Sequence, residues 1–179
     1  MENKVDISII VGSRSDLVLL VKAVKILTEL GVSYSLNIAS AHRSSFYLRR
    51  CIRIAESLAA KVFIVVAGMA AALPGVVASE TILPVIGVPV SSKNFSSLDS
   101  LFSIVQMPEG VPVATVTVGE SGAVNAVILA LQIISVGNED LRDKLKTHRA
   151  KMSEIVVEED LKLQRNGLEK FVEDLKSKC

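Results

Sequence analysis

Four adjacent residues combine the side chains that acid–base chemistry and anion binding require. Residues 40–43 read Ser-Ala-His-Arg and contain one of the two histidines in the chain. An imidazole changes its protonation state near neutral pH, and a guanidinium can donate two parallel hydrogen bonds to a phosphate. His42 and Arg43 therefore predict a proton-transfer group beside an anion-binding group. A histidine here could also be structural, bonded to a neighbouring carbonyl group, and these residues alone leave both interpretations open.

The segment before these residues has the alternation of a β-strand. Apolar side chains occupy every second position in Tyr34, Leu36 and Ile38. In open parallel α/β sheets, ligands bind just beyond the carboxyl ends of the strands. The sequence therefore places His42 and Arg43 where such a sheet binds its ligand.

A second loop, residues 12–16, has the composition of a phosphate-binding turn. It reads Gly-Ser-Arg-Ser-Asp, and the start of the helix that follows it provides free amides for an anion. Asp16 would repel a phosphate at contact distance, so we expect its carboxylate to accept hydrogen bonds from sugar hydroxyls. Glycine and serine before a helix are also typical of a plain turn and cap, which stays the alternative.

A third loop, residues 68–75, contains no titratable side chain. It reads Gly-Met-Ala-Ala-Ala-Leu-Pro-Gly and can supply only backbone amides and an apolar wall. Amides in a glycine-led turn could hold a carboxylate, and the wall could shelter a small neutral molecule. A plain strand-to-helix turn is the alternative.

Apolar runs alternate with helical patterns along the chain, as a parallel sheet built from β-α-β units requires. The second of five predicted strands should lie at an edge, because one of its faces is less apolar. The first helix is predicted over 16–30, with Gly31 as its C-terminal stop. A second helix is predicted to begin at Ser44 or Ser45, with either serine as its cap, and a third follows Gly68. Residues 1–137 thus predict one doubly wound α/β domain, with strands at 6–11, 33–39, 61–66, 84–88 and 113–118.

The C-terminal part of the chain predicts a helical extension. Residues 123–136 are apolar on nearly every side, so we expect this helix to be covered by its own chain or by another subunit. Asn138 is a suitable cap for a long helix, and a shorter helical pattern follows Gly167. Residues 138–179 should therefore pack on the same domain or on a neighbouring subunit.

Composition argues against large charged partners. Twenty basic and nineteen acidic residues give a net charge of +1, which provides no long-range field for nucleic acid or an anionic membrane. Residues 62–79 are uncharged over a length that could span a bilayer, but Gly68, Pro74 and Gly75 favour a strand, a turn and a short helix. We expect a small-molecule partner, no nucleic acid and no membrane.

The sequence also argues against resident cofactors and export. Cys51 and Cys179 have neither metal-ligand spacing nor the density of a disulfide scaffold, and residues 1–4 do not resemble a signal peptide. Neither a G-x-x-x-x-G-K-[ST] nor a G-x-G-x-x-G phosphate motif is present. We expect no metal, no ATP or dinucleotide cofactor, and a cytoplasmic location.

The three loops, in this order, resemble the family of N5-carboxyaminoimidazole ribonucleotide mutase and phosphoribosylaminoimidazole carboxylase of de novo purine (IMP) biosynthesis. The resemblance covers roughly residues 5–163 and includes Leu-Pro-Gly at 73–75, Gly-Val-Pro-Val at 87–90, Ser-Ile-Val-Gln-Met-Pro at 103–108 and Gly-Val-Pro-Val-Ala-Thr at 110–115. It implies a flavodoxin-like, three-layer α/β/α fold, assembled as a homo-octamer with active sites at subunit contacts. It also implies a reaction without metal, ATP or an organic cofactor.

For the mutase, the resemblance implies an isomerase. The substrate would be N5-carboxyaminoimidazole ribonucleotide, whose carboxyl group moves from the exocyclic nitrogen to ring carbon 4 to give 4-carboxy-5-aminoimidazole ribonucleotide. His42 would be the proton shuttle and Asp16 would hold the ribose. The phosphate would be bound by Ser13, Ser15, Ser40 and Arg43, and the third loop would contact substrate and hold carbon dioxide through Gly68, Ala70, Ala71 and Leu73.

One departure from the family pattern concerns the third loop. The usual mutases have Gly-Gly-Ala-Ala-His-Leu-Pro-Gly there, so Ala72 stands in place of a second active-site histidine. Carboxylases that use free carbon dioxide also lack this histidine, but they have Ser-Ala-His-Lys and Gly-Arg-Ser-Asn, which Arg43 and Met69 do not match. The mutase is the leading hypothesis. The carboxylase and a non-catalytic ribonucleotide-binding paralogue are the alternatives.

Overall fold

The centre of the fold is a sheet of five parallel strands in the order β2-β1-β3-β4-β5. A computed structural model of the chain describes residues 4–92 and 97–176. The order changes direction between β1 and β3, which is the topological switch point where such sheets bind ligands. The strands are β1 Ile7–Val11, β2 Tyr34–Ile38, β3 Val62–Gly68, β4 Val85–Val90 and β5 Ala114–Thr115.

The positions of the strands in the sheet follow their side-chain patterns. β1 is buried at all five positions, as expected for a Val- and Ile-rich strand covered on both faces. β2 lies at the edge, as predicted, and leaves Leu36 and Ile38 41% and 47% exposed. β5 is shorter than the predicted 113–118, because only Ala114 and Thr115 pair with β4.

Helices pack on both sides of this sheet and give the predicted three-layer α/β/α fold. The fifth helix covers β3 and β4 on one side of the sheet and also contacts the first helix. The second, third and fourth helices share a cluster of buried apolar residues with β3. The helix preceding β5 was not predicted. The helices are α1 Val21–Leu30, α2 Ser45–Ser57, α3 Leu73–Glu80, α4 Leu98–Val105, α5 Gly119–Ser135 and α6 Glu139–Lys176.

The first helix begins differently from the predicted 16–30. Arg14–Leu20 forms a 3₁₀ helix, and regular α-helix starts only at Val21. The amide of Asp16 donates to the carbonyl of Ser13 at 3.1 Å, which closes the tighter turn at its start. The predicted end is confirmed, since Gly31 adopts φ 71° and donates to the carbonyls of the last turn.

The apolar helix of residues 123–136 belongs to α5 and is covered on one face by its own chain. Ala126, Ala130 and Leu131 are fully buried, whereas Asn125 and Gln132 are exposed. Packing within the chain therefore explains most of its apolar composition. Its partly exposed apolar positions are Val124, Ile128, Leu129 and Ile133.

The chain divides into two compact units, Met1–Gly137 and Asn138–Cys179. In the second unit, the amide of Leu141 donates to Asn138 Oδ1 at 3.1 Å, so the predicted cap of the long helix is confirmed. Gly167, with φ 74° and ψ 165°, interrupts α6 where the sequence predicts a break. Met152, Ile155 and Val156 are more than half exposed.

The remaining expectations concern a membrane span, the cysteines and a signal peptide. Residues 62–79 form β3, a turn and α3, as predicted, and no helix of the described residues is long and apolar enough to cross a bilayer. Cys51 is buried and not in a disulfide. The signal-peptide interpretation concerns residues 1–4, of which residues 1–3 lie outside the described residues, as does Cys179.

Two glycines in the motifs of the first domain are positions of close packing. A Cβ on Gly75 would lie 3.1 Å from Met107 Cε, and one on Gly87 would lie 2.9 Å from Val113 Cγ1 and closer still to Ile104. These contacts join α3, β4, α4 and the segment before β5. Several of the motifs that carry the family resemblance therefore interlock through packing.

We expect Gly87→Ala to lower the free energy of unfolding by about 1–3 kcal/mol, because the added methyl group overpacks a buried site. Chemical denaturation monitored by circular dichroism measures this change. Gly137→Ala is the control, since nothing lies within 4 Å of its added Cβ. Equal stability of the Gly87 variant and wild type would contradict the packing argument.

Candidate functional site

The loops that follow β1 to β4 meet around one cavity of about 770 Å³. They meet because the parallel strands end level with one another: Val11 pairs with Ile38 and Val66, and Gly68 pairs with Val90. All ten site residues predicted from the sequence line this cavity, namely Ser13, Ser15, Asp16, Ser40, His42, Arg43, Gly68, Ala70, Ala71 and Leu73.

Hydrogen bonds beyond the strand ends hold the first three loops side by side. The amide of Gly12 donates to the carbonyl of Val66 at 3.0 Å, and the amide of Ala39 donates to the carbonyl of Val11 at the same distance. The sheet ladder thus continues into the loops. These bonds fix the positions of the loops at the ends of their strands.

Ser40 organises the loop after β2. Its hydroxyl oxygen accepts from the backbone amide of Arg43 at 3.2 Å and from Arg43 Nε at 3.4 Å. Arg43 Nη2 in turn donates to the carbonyl of Gly12 at 3.4 Å. The guanidinium therefore connects the second loop with the first, at the place where the sequence predicts phosphate binding.

The predicted start of α2 is confirmed, since Ser44 occupies the cap position, but Ser44 does not cap the helix with its side chain. Ser44 makes no side-chain bond to the free amides of α2. Its hydroxyl instead accepts from the amide of Ser40 at 3.0 Å and lies 3.3 Å from the carbonyl oxygen of Ser40. Ser44 is used to close the site loop.

His42 lies exposed at the cavity wall. Within residues 4–92 and 97–176, its imidazole has no hydrogen bond to a neighbouring carbonyl group, which is the contact that a structural role would require. Its ring nitrogens face no competing protein partner among these residues. The geometry therefore leaves them available to a bound molecule.

Asp16 is the buried charge of the site. The residue is only 9% exposed, and burial raises the pKa of its carboxyl group above the ordinary value. Two hydrogen bonds lower the pKa of Asp16 and so oppose the effect of burial. The Ser15 hydroxyl donates to Asp16 Oδ1 at 3.1 Å, and the backbone of Ser13 provides the other bond. A ligand hydroxyl that donates to this carboxylate would relieve part of the cost of its burial.

We expect Asp16→Asn to raise the melting temperature at pH 7 and to weaken ribonucleotide binding at least about 10-fold, the scale of a hydrogen bond to a charged group. The pKa of Asp16 is higher in the folded chain than in the unfolded chain, so ionisation of this carboxyl group destabilises the fold. The free energy of unfolding therefore falls as the pH rises from the unfolded-state pKa through the folded-state pKa. The stability gain should therefore shrink toward pH 4. Thermal unfolding at both pH values and titration calorimetry measure the two effects.

Asp143→Asn provides the control for this prediction. A hydrogen bond from Lys146 lowers the pKa of Asp143, so its ionised form is already favoured in the folded chain. The control substitution should give no gain in stability. A lower melting temperature for Asp16→Asn at pH 7 would contradict the argument from burial.

The third loop adopts a strained backbone. Met69 has φ 58° and Ala71 has φ 28°, in the left-handed region that glycine adopts most readily. The amide of Ala71 donates to the carbonyl of Gly68 at 3.1 Å and closes the turn. Ala72 lines the cavity where the resemblance implies a second histidine, so this wall is apolar.

A fourth loop contributes residues that sequence reasoning missed. β4 extends to Val90, beyond the predicted end at residue 88, so the next residues, Ser91 and Ser92, reach the cavity. Ser92 Oγ donates to Asp99 Oδ1 at 3.0 Å, which ties this loop to the start of α4. The rule that ligands bind beyond strand ends could have found these serines if applied to the fourth strand.

Comparison with known proteins agrees with this arrangement. The family model described as AIR carboxylase matches residues 6–155. The N5-carboxyaminoimidazole ribonucleotide mutase of Pyrococcus horikoshii is 44% identical over 168 residues, covering 94% of each chain. The enzyme of that name from Bacillus subtilis is 49% identical over 152 residues, which cover 85% of this chain and 94% of the relative.

Solved structures show the same fold. Treponema denticola PurE superposes with a TM-score of 0.79 at 29% identity, covering 88% of this chain and 97% of the other. A PurE2 variant from the same organism gives a TM-score of 0.81 at 28% identity, with coverage of 89% and 98%. Because the family model spans most of the chain and both relatives exceed 40% identity over nearly their whole length, the chain belongs to the AIR carboxylase family.

Proposed function

We propose that the protein is an isomerase of purine biosynthesis that converts N5-carboxyaminoimidazole ribonucleotide to 4-carboxy-5-aminoimidazole ribonucleotide. The observation that carries this proposal is that His42, Arg43 and Asp16 line one cavity in a chain whose relatives are named as this mutase. The cavity offers a proton carrier, an anion-binding group and an acceptor for sugar hydroxyls, which are the three functions that the substrate requires.

The phosphate is held where the first and second loops meet. Ser13 and Ser15 supply hydroxyls from one side, and Ser40 and Arg43 supply a hydroxyl and a guanidinium from the other. Arg43 Nη2 is 3.4 Å from the carbonyl of Gly12, so the guanidinium can turn toward a phosphate while staying between the two loops. Asp16 accepts hydrogen bonds from the ribose hydroxyls.

His42 carries one proton between two atoms of the substrate. When the nitrogen–carbon bond breaks, its electron pair stays on the nitrogen, carbon dioxide is released, and the His42 imidazolium protonates the nitrogen. Carbon 4 then attacks carbon dioxide, and neutral His42 removes the proton from carbon 4. His42 donates one proton to the nitrogen and takes one proton from carbon 4, so it ends in its starting protonation state. One histidine is therefore sufficient for the isomerisation. Acid–base assistance of this kind contributes about 10²- to 10⁴-fold to the rate.

The third loop holds carbon dioxide between the two steps. Ala70, Ala71 and Leu73 present an apolar wall without any titratable side chain that could react with it. Retention in a fixed position makes the second step effectively intramolecular, which lowers its entropic barrier. Backbone amides of the loop, beginning at Gly68, are the polar contacts for the carboxylate.

Two parallel assays test this proposal. The purified protein is incubated with N5-carboxyaminoimidazole ribonucleotide, and separately with the uncarboxylated ribonucleotide and bicarbonate, while formation of the 4-carboxy product is followed. Turnover of the first substrate supports the mutase. Turnover only with bicarbonate would assign the chain as a carboxylase, and binding without turnover would indicate a non-catalytic paralogue.

We further propose that the chain forms a homo-octamer in the cytoplasm. The helical extension of residues 138–179 packs on the α/β domain of residues 1–137 or on a neighbouring subunit. The exposed apolar side chains of α6, including Met152, Ile155 and Val156, support packing against another surface. The lack of a disulfide framework in the sequence supports a reducing compartment. Light scattering coupled to size exclusion measures the mass, and a stable monomer would contradict the octamer.

A further inference from the structure

Met69 has an unusual backbone conformation for its residue type. Its φ of 58° lies in the left-handed region, which costs a residue with a Cβ about 1–2 kcal/mol relative to ordinary helical or extended backbone. Glycine at this position would avoid that cost. A contact of the Met69 side chain that glycine could not make would offset this cost.

Packing in the unliganded chain does not account for this contribution. The Met69 side chain is 71% exposed, so little of its apolar surface is removed from water by the protein itself. It lines the cavity beside Ala70 and Ala72, on the apolar third loop, whereas the charged groups of the cavity lie on the first and second loops. A molecule bound in the cavity would lie against this side chain and cover it.

We propose that Met69 covers the reacting end of the substrate and keeps released carbon dioxide in the cavity, an inference that rests on the proposed mutase function. An unbranched thioether side chain adapts to irregular surfaces, and contact with the ligand removes its apolar surface from water. Carbon dioxide is small, neutral and apolar, so an apolar cover retains it and excludes the water that would otherwise fill the site.

Escape of carbon dioxide has a defined chemical result. The nitrogen–carbon bond is already broken and the nitrogen has already taken its proton, so the molecule left in the site is the uncarboxylated ribonucleotide. Carbon dioxide from solution can then enter and react at carbon 4 in place of the lost one. Retention is therefore measurable as the fraction of product that keeps the original carboxyl carbon.

The experiment uses N5-carboxyaminoimidazole ribonucleotide labelled with ¹³C in its carboxyl group, in buffer containing unlabelled bicarbonate. Mass spectrometry measures the label in the 4-carboxy product, and a sample without enzyme corrects for spontaneous decarboxylation. We expect Met69→Ala to lose label at least about three times as often as wild type, because the contact area of the side chain is removed. Met69→Leu keeps an apolar side chain of similar size and should retain label as wild type does.

Met69→Gly separates the side chain from the backbone. Both Ala and Gly remove the thioether, but only Gly relieves the left-handed strain and loosens the loop. Equal label loss in the two variants supports the cover, whereas loss in Met69→Gly alone would assign the effect to loop mobility and overturn the proposal. Wild-type retention in Met69→Ala, with folding checked by thermal unfolding, would also overturn it. No product from wild-type protein would overturn the mutase function and this inference together.

Discussion

Replacing His42 with asparagine should reduce kcat by about 10²- to 10⁴-fold, the range that a positioned acid–base group contributes. Asparagine preserves a polar side chain of similar size but cannot accept and return a proton at neutral pH. The affinity for ribose 5-phosphate should change by less than about threefold, since the substitution removes at most one weak neutral hydrogen bond to this ligand. Single-turnover kinetics and titration calorimetry measure the two quantities separately.

His148→Asn is the matched control, because it removes the other histidine of the chain, which lies on α6 and does not line the cavity. Its turnover should equal that of wild type. Retained turnover in His42→Asn would remove His42 from the mechanism, and an equal loss of ribose 5-phosphate affinity would make His42 a binding residue.

Arg43→Met should weaken ribose 5-phosphate binding by about 10- to 100-fold, because hydrogen bonds to a charged group contribute roughly 1.5–3 kcal/mol. The same change removes the contact of Arg43 Nη2 with the carbonyl of Gly12, so the first and second loops lose a connection. Arg43→Lys should recover only part of the affinity, since an ammonium group retains the charge but not the planar fork. Calorimetry with ribose 5-phosphate measures all three proteins.

Arg14→Met provides the comparison within the first loop. Arg14 is exposed, lies between Ser13 and Ser15, and is not part of the cavity wall. Its substitution also lowers the net charge by one, so it controls for a general loss of positive charge. Equal weakening by the two Met variants would mean that the phosphate is held by overall charge and not by the contacts of Arg43.

The sheet could be predicted from the sequence because its strands are strongly patterned. The Val- and Ile-rich runs indicate β1, β3 and β4, and the alternation in β2 indicates an edge strand. The missed features depend on local geometry that a hydrophobic pattern does not record. The tight turn at Ser13 begins a 3₁₀ helix, and β5 pairs with β4 over only two residues.

The candidate site was predicted where residue type alone indicates chemistry. A histidine, an arginine and an aspartate in loops after strands are visible in a sequence, and the structure brings all of them to one cavity. The left-handed conformation of Met69 was not predictable, because methionine rarely adopts it. Ser91 and Ser92 were missed because β4 continues past residue 88, so the loop after it begins later.

The edge position of β2 affects how the protein loses activity. β2 bonds to one neighbour, β1, whereas β1 and β3 each have neighbours on both sides. Strands held on one side open at a lower free energy than the central strands, so local opening at β2 precedes global unfolding. His42 and Arg43 lie in the loop that follows this strand. The candidate site thus adjoins the less protected edge of the sheet. If a phosphate binds between the first two loops, as we propose, it should raise the temperature at which activity is lost more than the temperature at which the whole fold unfolds.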